Sequence, residues 1–341
     1  MLYAKINGRS KEHAFKRLRY NALGSMSNKT IAKFSTFVIF VATAAALFSA
    51  CRPVSSGGVG NRPNPHFSPP VVIGTIKSAD ITESSGVAAS GCQNGVLWTH
   101  NDSGDGPFIY AINFAGDNLG TWKIPNAQNI DWEDIAAYKD KSGKCFIYIG
   151  EIGDNKAIRP VHAIYRVNEP IVTPAAASSN RQAPLASENA NVIRFKYPDH
   201  NSNAETLMID PKTSNIYVVT KRVSGPAGVY RLKSVFSNDY VVTAEKVGEI
   251  SVPAIPNGFL TGGDISPDGR HMIICDYTQA YEFTLPDGDQ NFEDIWKEIP
   301  ETIDIGLRKQ GEGVCYSADG TAIFATSEGK KSPIIEAKRK E

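Results

Sequence analysis

The sequence predicts an all-β fold of repeated four-stranded sheets, and three observations carry that prediction. A short strand led by a carboxylate recurs five times, at Glu83-Ser84-Ser85-Gly86-Val87, Asp131-Trp132-Glu133-Asp134-Ile135, Ala204-Glu205-Thr206-Leu207, Gly263-Asp264-Ile265 and Gly311-Glu312-Gly313-Val314. Each is followed by a turn and a second apolar run, at 96–99, 145–149, 215–219, 271–275 and 321–325. From Glu83 through Glu133, Glu205 and Asp264 to Glu312 the steps are 50, 72, 59 and 48 residues. Loose periods in this range, filled with short strands, mark repeat architectures, and the usual all-β form is a β-propeller.

The chain can then be taken in order. An apolar run at 71–76 reads as a strand with no partner upstream. The first repeat continues with strands at 108–112 and 119–124, and the second with 163–167 and 192–197. Between the latter two, 174–191 is poor in apolar residues and reads as an exposed loop. The third repeat adds 229–232 and 247–250. The fourth adds 280–283 and a divergent outer part at 292–305 that has room for a short helix. The fifth stops after Ile335, one strand short. Placing the orphan strand at 71 outermost on that last sheet closes the ring and removes two exposed edges. The expectation is five blades of four antiparallel strands, closed by the N-terminal strand. Six blades is the alternative, and a two-domain β protein a third. The Ser-Pro-Asp-Gly and Ser-Ala-Asp-Gly stretches at 266–269 and 317–320 are hairpin chemistry.

The N-terminal quarter reads as targeting. Lys29 and Lys33 precede an apolar run from Phe37 to Phe48, too short to span a bilayer but suited to a signal-peptide core. Ser49-Ala50-Cys51 then resembles a bacterial lipobox, with Phe48 where Leu is usual, so Cys51 is the expected lipidation site. An ordinary secretory signal is the alternative. Met26 begins a signal of ordinary length, which makes 1–25 an upstream extension, 26–50 the signal peptide, 51–70 a Pro/Gly/Ser-rich tether and 71–341 the propeller domain. The expected location is the outside of the cytoplasmic membrane, lipid-anchored to a bacterial cell envelope.

Charge follows the same division. The whole chain is formally neutral, but residues 51–341 hold 28 basic against 35 acidic side chains. That balance argues against nucleic acid as a partner, because phosphate neutralisation needs clustered Lys and Arg. Beyond Cys51 four cysteines remain, an even number that suits an oxidising compartment. Cys92 and Cys145 both lie in the turn between the first two strands of their repeats, whereas Cys275 and Cys315 fall in strands. Connectivity stays open, and free buried thiols fit the latter two equally well.

In an antiparallel blade the start of the first strand and the end of the second share one end. The five carboxylates Glu83, Glu133, Glu205, Asp264 and Glu312 are therefore expected around one mouth of the central channel, as candidate metal ligands. The residues after the second strands join them as candidate ligand-binding groups: His100, Asn101, Asp102, Asp154, Asn155, Lys221, Arg222 and Glu328. Glu133, Glu205 and Glu312 each stand two before the first aliphatic residue of their strand and are the true equivalents. Glu83 and Asp264 stand out of that register. Oxygen ligands around a hole suit Ca²⁺. The bland alternative is that these acids cap inner-strand amides and hold the blades in register. Asp102-Ser103-Gly104-Asp105-Gly106 lacks the full calcium-loop pattern and reads as an Asp/Gly turn. Nucleophile-elbow, His-Glu-x-x-His, phosphate-loop and Cys-x-x-Cys motifs do not occur in the sequence.

The series Glu-Ser-Ser-Gly-Val-Ala, Asp-Trp-Glu-Asp-Ile-Ala, Ala-Glu-Thr-Leu and Gly-Glu-Gly-Val is similar to the repeated Glu-Gly-aliphatic signature of SdiA-regulated and esterase-like phytase propellers. The stretches His100–Gly104 and Gly150–Asn155 resemble secreted bacterial propellers of the same kind. The resemblance covers about residues 71–335 and implies a mouth-facing metal or ligand site, with Ca²⁺ the ion such acids hold in the phytase type. Only Glu133, Glu205 and Glu312 match the signature closely. The basic residues a phosphatase would use reduce to Lys221 and Arg222, with Lys330 and Lys331 further off. Three functions follow as expectations. The first is a monomeric, lipid-anchored propeller binding a small phosphate- or sugar-type ligand and Ca²⁺ at an acidic mouth. The others are a Ca²⁺-dependent phosphoester or other ester hydrolase, and a protein-interaction scaffold.

Overall fold

The computed structural model describes residues 66–289 and 291–340; the expected signal segment and Cys51 lie outside them. Strand β1 (Val71–Thr75) opens the domain. Blade 1 follows as β2 (Ser84–Ala89), β3 (Val96–Asn101), β4 (Phe108–Asn113) and β5 (Asn118–Lys123). Next come β6 (Trp132–Lys139), β7 (Cys145–Glu151), β8 (His162–Asn168), the two-residue β9 (Leu185–Ala186) and β10 (Asn191–Lys196). They are followed by β11 (Ala204–Ile209), β12 (Ile216–Thr220), β13 (Ala227–Leu232), β14 (Ser237–Thr243) and β15 (Glu245–Ile250). Blade 4 is β16 (Gly262–Ile265), β17 (His271–Cys275), β18 (Ala280–Thr284) and β19 (Glu301–Ile303). The last strands are β20 (Gly311–Tyr316), β21 (Ala322–Ser327) and β22 (Pro333–Lys338).

These strands form five sheets, with the innermost strands β2, β6, β11, β16 and β20 touching in that order and β20 returning to β2. The fold is a five-bladed β-propeller. Its closure is the expected one: β1 pairs antiparallel with β22 as the outer strand of blade 5. The six-blade alternative falls away because the long second repeat spends its extra residues on edges. After β8 the chain forms a 3-10 turn (Pro174–Ser178), and β9 then pairs parallel with β5 of blade 1. Ser179 Oγ accepts the Thr121 amide at 2.8 Å, and the Asn118 side chain donates to the Ala177 carbonyl at 2.9 Å. The stretch expected to be a free loop is thus a strap over the edge of blade 1. Strand β14, which sequence reading missed, likewise leaves blade 3 to pair parallel with β10 of blade 2. Both devices cover unpaired backbone that would otherwise template aggregation.

Strand alternation sends apolar side chains into the spaces between neighbouring sheets, and one apolar cluster fills each of the five spaces. Trp98 and Trp132 are fully buried between blades 1 and 2, and Tyr148 and Phe195 between blades 2 and 3. At roughly 25 cal/mol per Å² and 150–250 Å² per ring, each such Trp contributes about 4–6 kcal/mol. Cys92 and Cys145 form a disulfide that ties blade 1 to blade 2 with Cα atoms 6.2 Å apart. Cys275 and Cys315 are free and buried.

Candidate functional site

The register of the inner strands decides which acids reach the channel mouth. Pairing of β6 with β7 slips at Glu133, and pairing of β11 with β12 slips at Glu205. The β20–β21 ladder slips across Glu312-Gly313, and β2–β3 across Ser85-Gly86. A bulge adds a residue to one strand and re-aims its side chain. Each bulge turns the position two before the first aliphatic residue toward the axis. Blade 4 has no bulge, so β16 pairs in even register. Asp264 therefore matches Asp134 of blade 2, and both work lower in the channel. Asp134 accepts the Ile135 and Leu207 amides at 2.8 and 2.9 Å, and Asp264 accepts those of Ile265 and Tyr316 at 2.8 and 3.0 Å. These two carboxyls staple neighbouring inner strands. Burial pushes Asp264 up to about 7 and Asp134 well above the carboxylate range.

At the mouth, Asp102, Asp131 and Glu133 place one carboxylate oxygen each within 4.8 Å of one another. Their meeting is built by the polypeptide around them. Asn129 donates to the Asn101 and Asp102 carbonyls at 3.3 and 3.1 Å and accepts the Trp132 amide at 3.2 Å, which joins a blade 1 loop to the start of β6. Glu151, itself paired with Arg159 at 2.6 Å, accepts the Ile130 and Asp131 amides at 2.8 and 3.1 Å. Asn129 and Glu151 thus hold the loop while leaving the Asp131 and Glu133 carboxylates unengaged. Glu133 is only 4 % exposed, yet its carboxylate has no hydrogen-bond donor among the described residues. Gly153 completes the cradle, because a Cβ there would lie 2.1 Å from Glu133 Oε1 and 2.5 Å from Asp131 Oδ2.

Two further acids share the mouth, each with its own arrangement. Glu205 accepts the Lys221 ammonium at 2.8 Å and the Asn203 amide at 2.9 Å. Burial opposes the Lys221 charge, but Glu205 holds it above the usual lysine range. Glu312 accepts from Ser85 Oγ and Gln310 Nε2, both at 3.2 Å; burial, followed by Glu328, pushes it up to about 9. Burial, then Glu205, raises Glu133 well above its ordinary value. Burial, then Asp102, raises Asp131 to about 6. Burial also raises Asp102 and Glu205. Desolvated carboxylates that raise one another favour either protons or a cation.

The other sequence candidates take different places. His100 is fully buried at the end of β3, edge-on to Trp132, with Nδ1 2.9 Å from the Asn101 carbonyl. Burial lowers it to about 4, so it stays neutral. It stands behind the mouth because β3 runs through Asn101. Asn101 is committed to the Thr82 and Glu83 amides at 2.9 and 3.0 Å. Glu83 is exposed at the rim and bridges Glu328 along the backbone. Trp132 is core, with Nε1 donating to the Gln128 carbonyl at 2.9 Å. Asp154, Asn155, Lys221 and Arg222 instead line a cavity of about 490 Å³ beside the mouth, with Phe259 and Tyr277. Asp131 was visible in the sequence only as a neighbour of Glu133. Asn203, Phe259 and Gly153 carried no signal there.

No family model and no curated protein matches the chain. Among solved structures, the PQQ-bound aldose sugar dehydrogenase of Streptomyces coelicolor is 11% identical with a TM-score of 0.45, over 82% of this chain and 100% of that one. A gluconolactonase of Xanthomonas campestris is 14% identical with a TM-score of 0.40, over 82% of this chain and 99% of that one. Neither likeness assigns a function to this chain. The resemblance noted from the repeated glutamates meets the structure at the level of the β-propeller.

Proposed function

We propose that this propeller is a lipid-anchored, extracytoplasmic binding protein that takes a divalent cation, Ca²⁺, at its acidic mouth and a small ligand beside it. The observation that carries the reading is the Glu133 carboxylate, which opens on the mouth without a protein donor among the described residues and converges with Asp102 and Asp131. An unpaired buried carboxylate costs several kcal/mol unless it is neutralised. Asp102, Asp131 and Glu133 would hold the ion, which supplies the missing positive charge and takes further oxygens from water or ligand. Support for the location comes from the segment ending at Cys51 and from the Cys92–Cys145 disulfide, a bond of oxidising compartments. The hydrolase reading has less support, because Lys221 is already engaged by Glu205 and Arg222 stands at the rim.

Chelator-stripped protein titrated with CaCl₂ tests the cation directly. Its melting temperature rises, and the rise is lost in Asp131→Asn combined with Glu133→Gln. An unchanged melting temperature at millimolar Ca²⁺ ends the proposal. Cys51→Ser is expected to move the protein from the membrane fraction to the soluble envelope fraction.

A further inference from the structure

The cavity beside the mouth carries its own chemistry, and that chemistry names a ligand class. Its volume of about 490 Å³ lies within the range of about 300–1,000 Å³ usual for small-ligand pockets. One part of its lining is amide and hydroxyl: Asn155, Asn201, Ser202 and Ser224, with the Asn203 side chain already engaged by the Asp154 amide and Glu205. Side-chain amides carry both donors and acceptors, as vicinal hydroxyls do, so such a lining suits a polyhydroxylated molecule. Another part is aromatic, with Phe259 and Tyr277 in edge-to-face contact at 5.1 Å.

The charges narrow the class further. Lys221 reaches the cavity but is neutralised by Glu205 at 2.8 Å, donates to Tyr277 Oη at 3.1 Å and sits over the Phe259 ring at 4.6 Å. Arg222 is exposed, and its guanidinium has no hydrogen-bond or ion-pair partner among the described residues. One unspent positive charge, in a cavity that Asp154 also lines, matches a singly charged anion better than a doubly charged one. A planar guanidinium fork matches a carboxylate in particular.

We propose that this cavity binds a sugar acid, its carboxylate on Arg222, its hydroxyls on the asparagine amides and its ring against Phe259 and Tyr277. The inference rests on the ligand-binding reading above and names the ligand. A cation held by Asp102, Asp131 and Glu133 reduces the negative field that the acid meets on approach. Ca²⁺ therefore strengthens binding of the acid, and the acid strengthens binding of Ca²⁺ by the same factor.

D-glucuronate and D-glucose differ at one carbon, carboxylate against hydroxymethyl, and serve as the probe pair in calorimetric titrations of the mature domain with Ca²⁺ present. Glucuronate is expected to bind about tenfold to a hundredfold more tightly than glucose, the range of one charge-assisted pair. Arg222→Gln erases that preference while keeping the Ca²⁺-induced rise in melting temperature, which shows the variant folded and the mouth intact. Equal affinity for the two sugars, or no binding of either while the Ca²⁺ shift persists, overturns the sugar-acid assignment and leaves the cation reading standing. Inorganic phosphate binding as tightly as glucuronate also overturns it, since the hydroxyl contacts would then contribute nothing. Loss of both the Ca²⁺ shift and sugar binding brings down both readings.

Discussion

Glu133→Gln is expected to stabilise the metal-free protein and to abolish its response to Ca²⁺. The native carboxyl is buried without a donor and is held well above its ordinary value of 4.5, burial being the main cause and Glu205 the next. At pH 7.5 the unfolded chain ionises this group freely, whereas the metal-free fold must keep its proton or bear an unpaired charge. Three pH units at about 1.4 kcal/mol each cap the penalty at about 4 kcal/mol. Glutamine has nearly the shape of the protonated acid and carries no such penalty. Water at the open mouth relieves part of it, so a gain of about 2–4 kcal/mol is expected, or about 4–8 °C in Tm for a domain of this size. With Ca²⁺ at a hundred times its Kd the wild type gains about 2.7 kcal/mol and the variant nothing, so the order of the two converges or reverses. Differential scanning calorimetry in EDTA and in Ca²⁺ reads both effects. A variant less stable than wild type in both buffers would refute the reasoning, because Glu133 would then be a structural cap.

Other outcomes follow from the same geometry. Above pH 6.5 the metal-free protein loses stability as pH rises. Glu312, raised to about 9, contributes stability that is present below its unfolded value and lost as pH climbs through the folded one, whereas Asp131, raised to about 6, has largely finished its loss by then. Below pH 6.5 the buried His100 and His162, both lowered to about 4, oppose that trend. Melting curves in EDTA should therefore fall between pH 6.5 and 9, and Ca²⁺ should flatten that limb. Gly153→Ala pushes a methyl group against Glu133 and Asp131 and is expected to weaken Ca²⁺ at least about tenfold by calorimetry; unchanged affinity would separate this glycine from the site. Replacing Cys92 and Cys145 together by Ala opens a link between positions 53 apart and is expected to remove about 4 kcal/mol, read as a lower urea midpoint.

Much of the architecture was legible because it is periodic. The carboxylate-led strand, the turn and the second apolar strand recur in sequence as the blades recur in space, and the orphan strand at Val71 answered the incomplete fifth repeat. Glu133, Glu205 and Glu312 were equally legible, since their shared offset from the first aliphatic residue is the signature of the bulge that aims them. What the repeat does not encode stayed hidden. Asp264 shares its place with Asp134, and only the absence of a bulge in β16 shows it. Asp102 reaches Asp131 through the side chain of Asn129, a bridge between blades with no periodic trace. Strands β9 and β14 pair with sheets other than the ones their sequence neighbours suggest, because covering an edge matters more than chain order.

The most direct test is a crystal of the mature domain grown with Ca²⁺ and, separately, with Mn²⁺, whose anomalous signal locates the ion without ambiguity. The account requires one peak at the channel mouth with carboxylate oxygens of Asp102, Asp131 and Glu133 within about 2.0–2.6 Å. A mouth holding only water at saturating metal, or an ion bound elsewhere while these three carboxyls stay protonated, would contradict it.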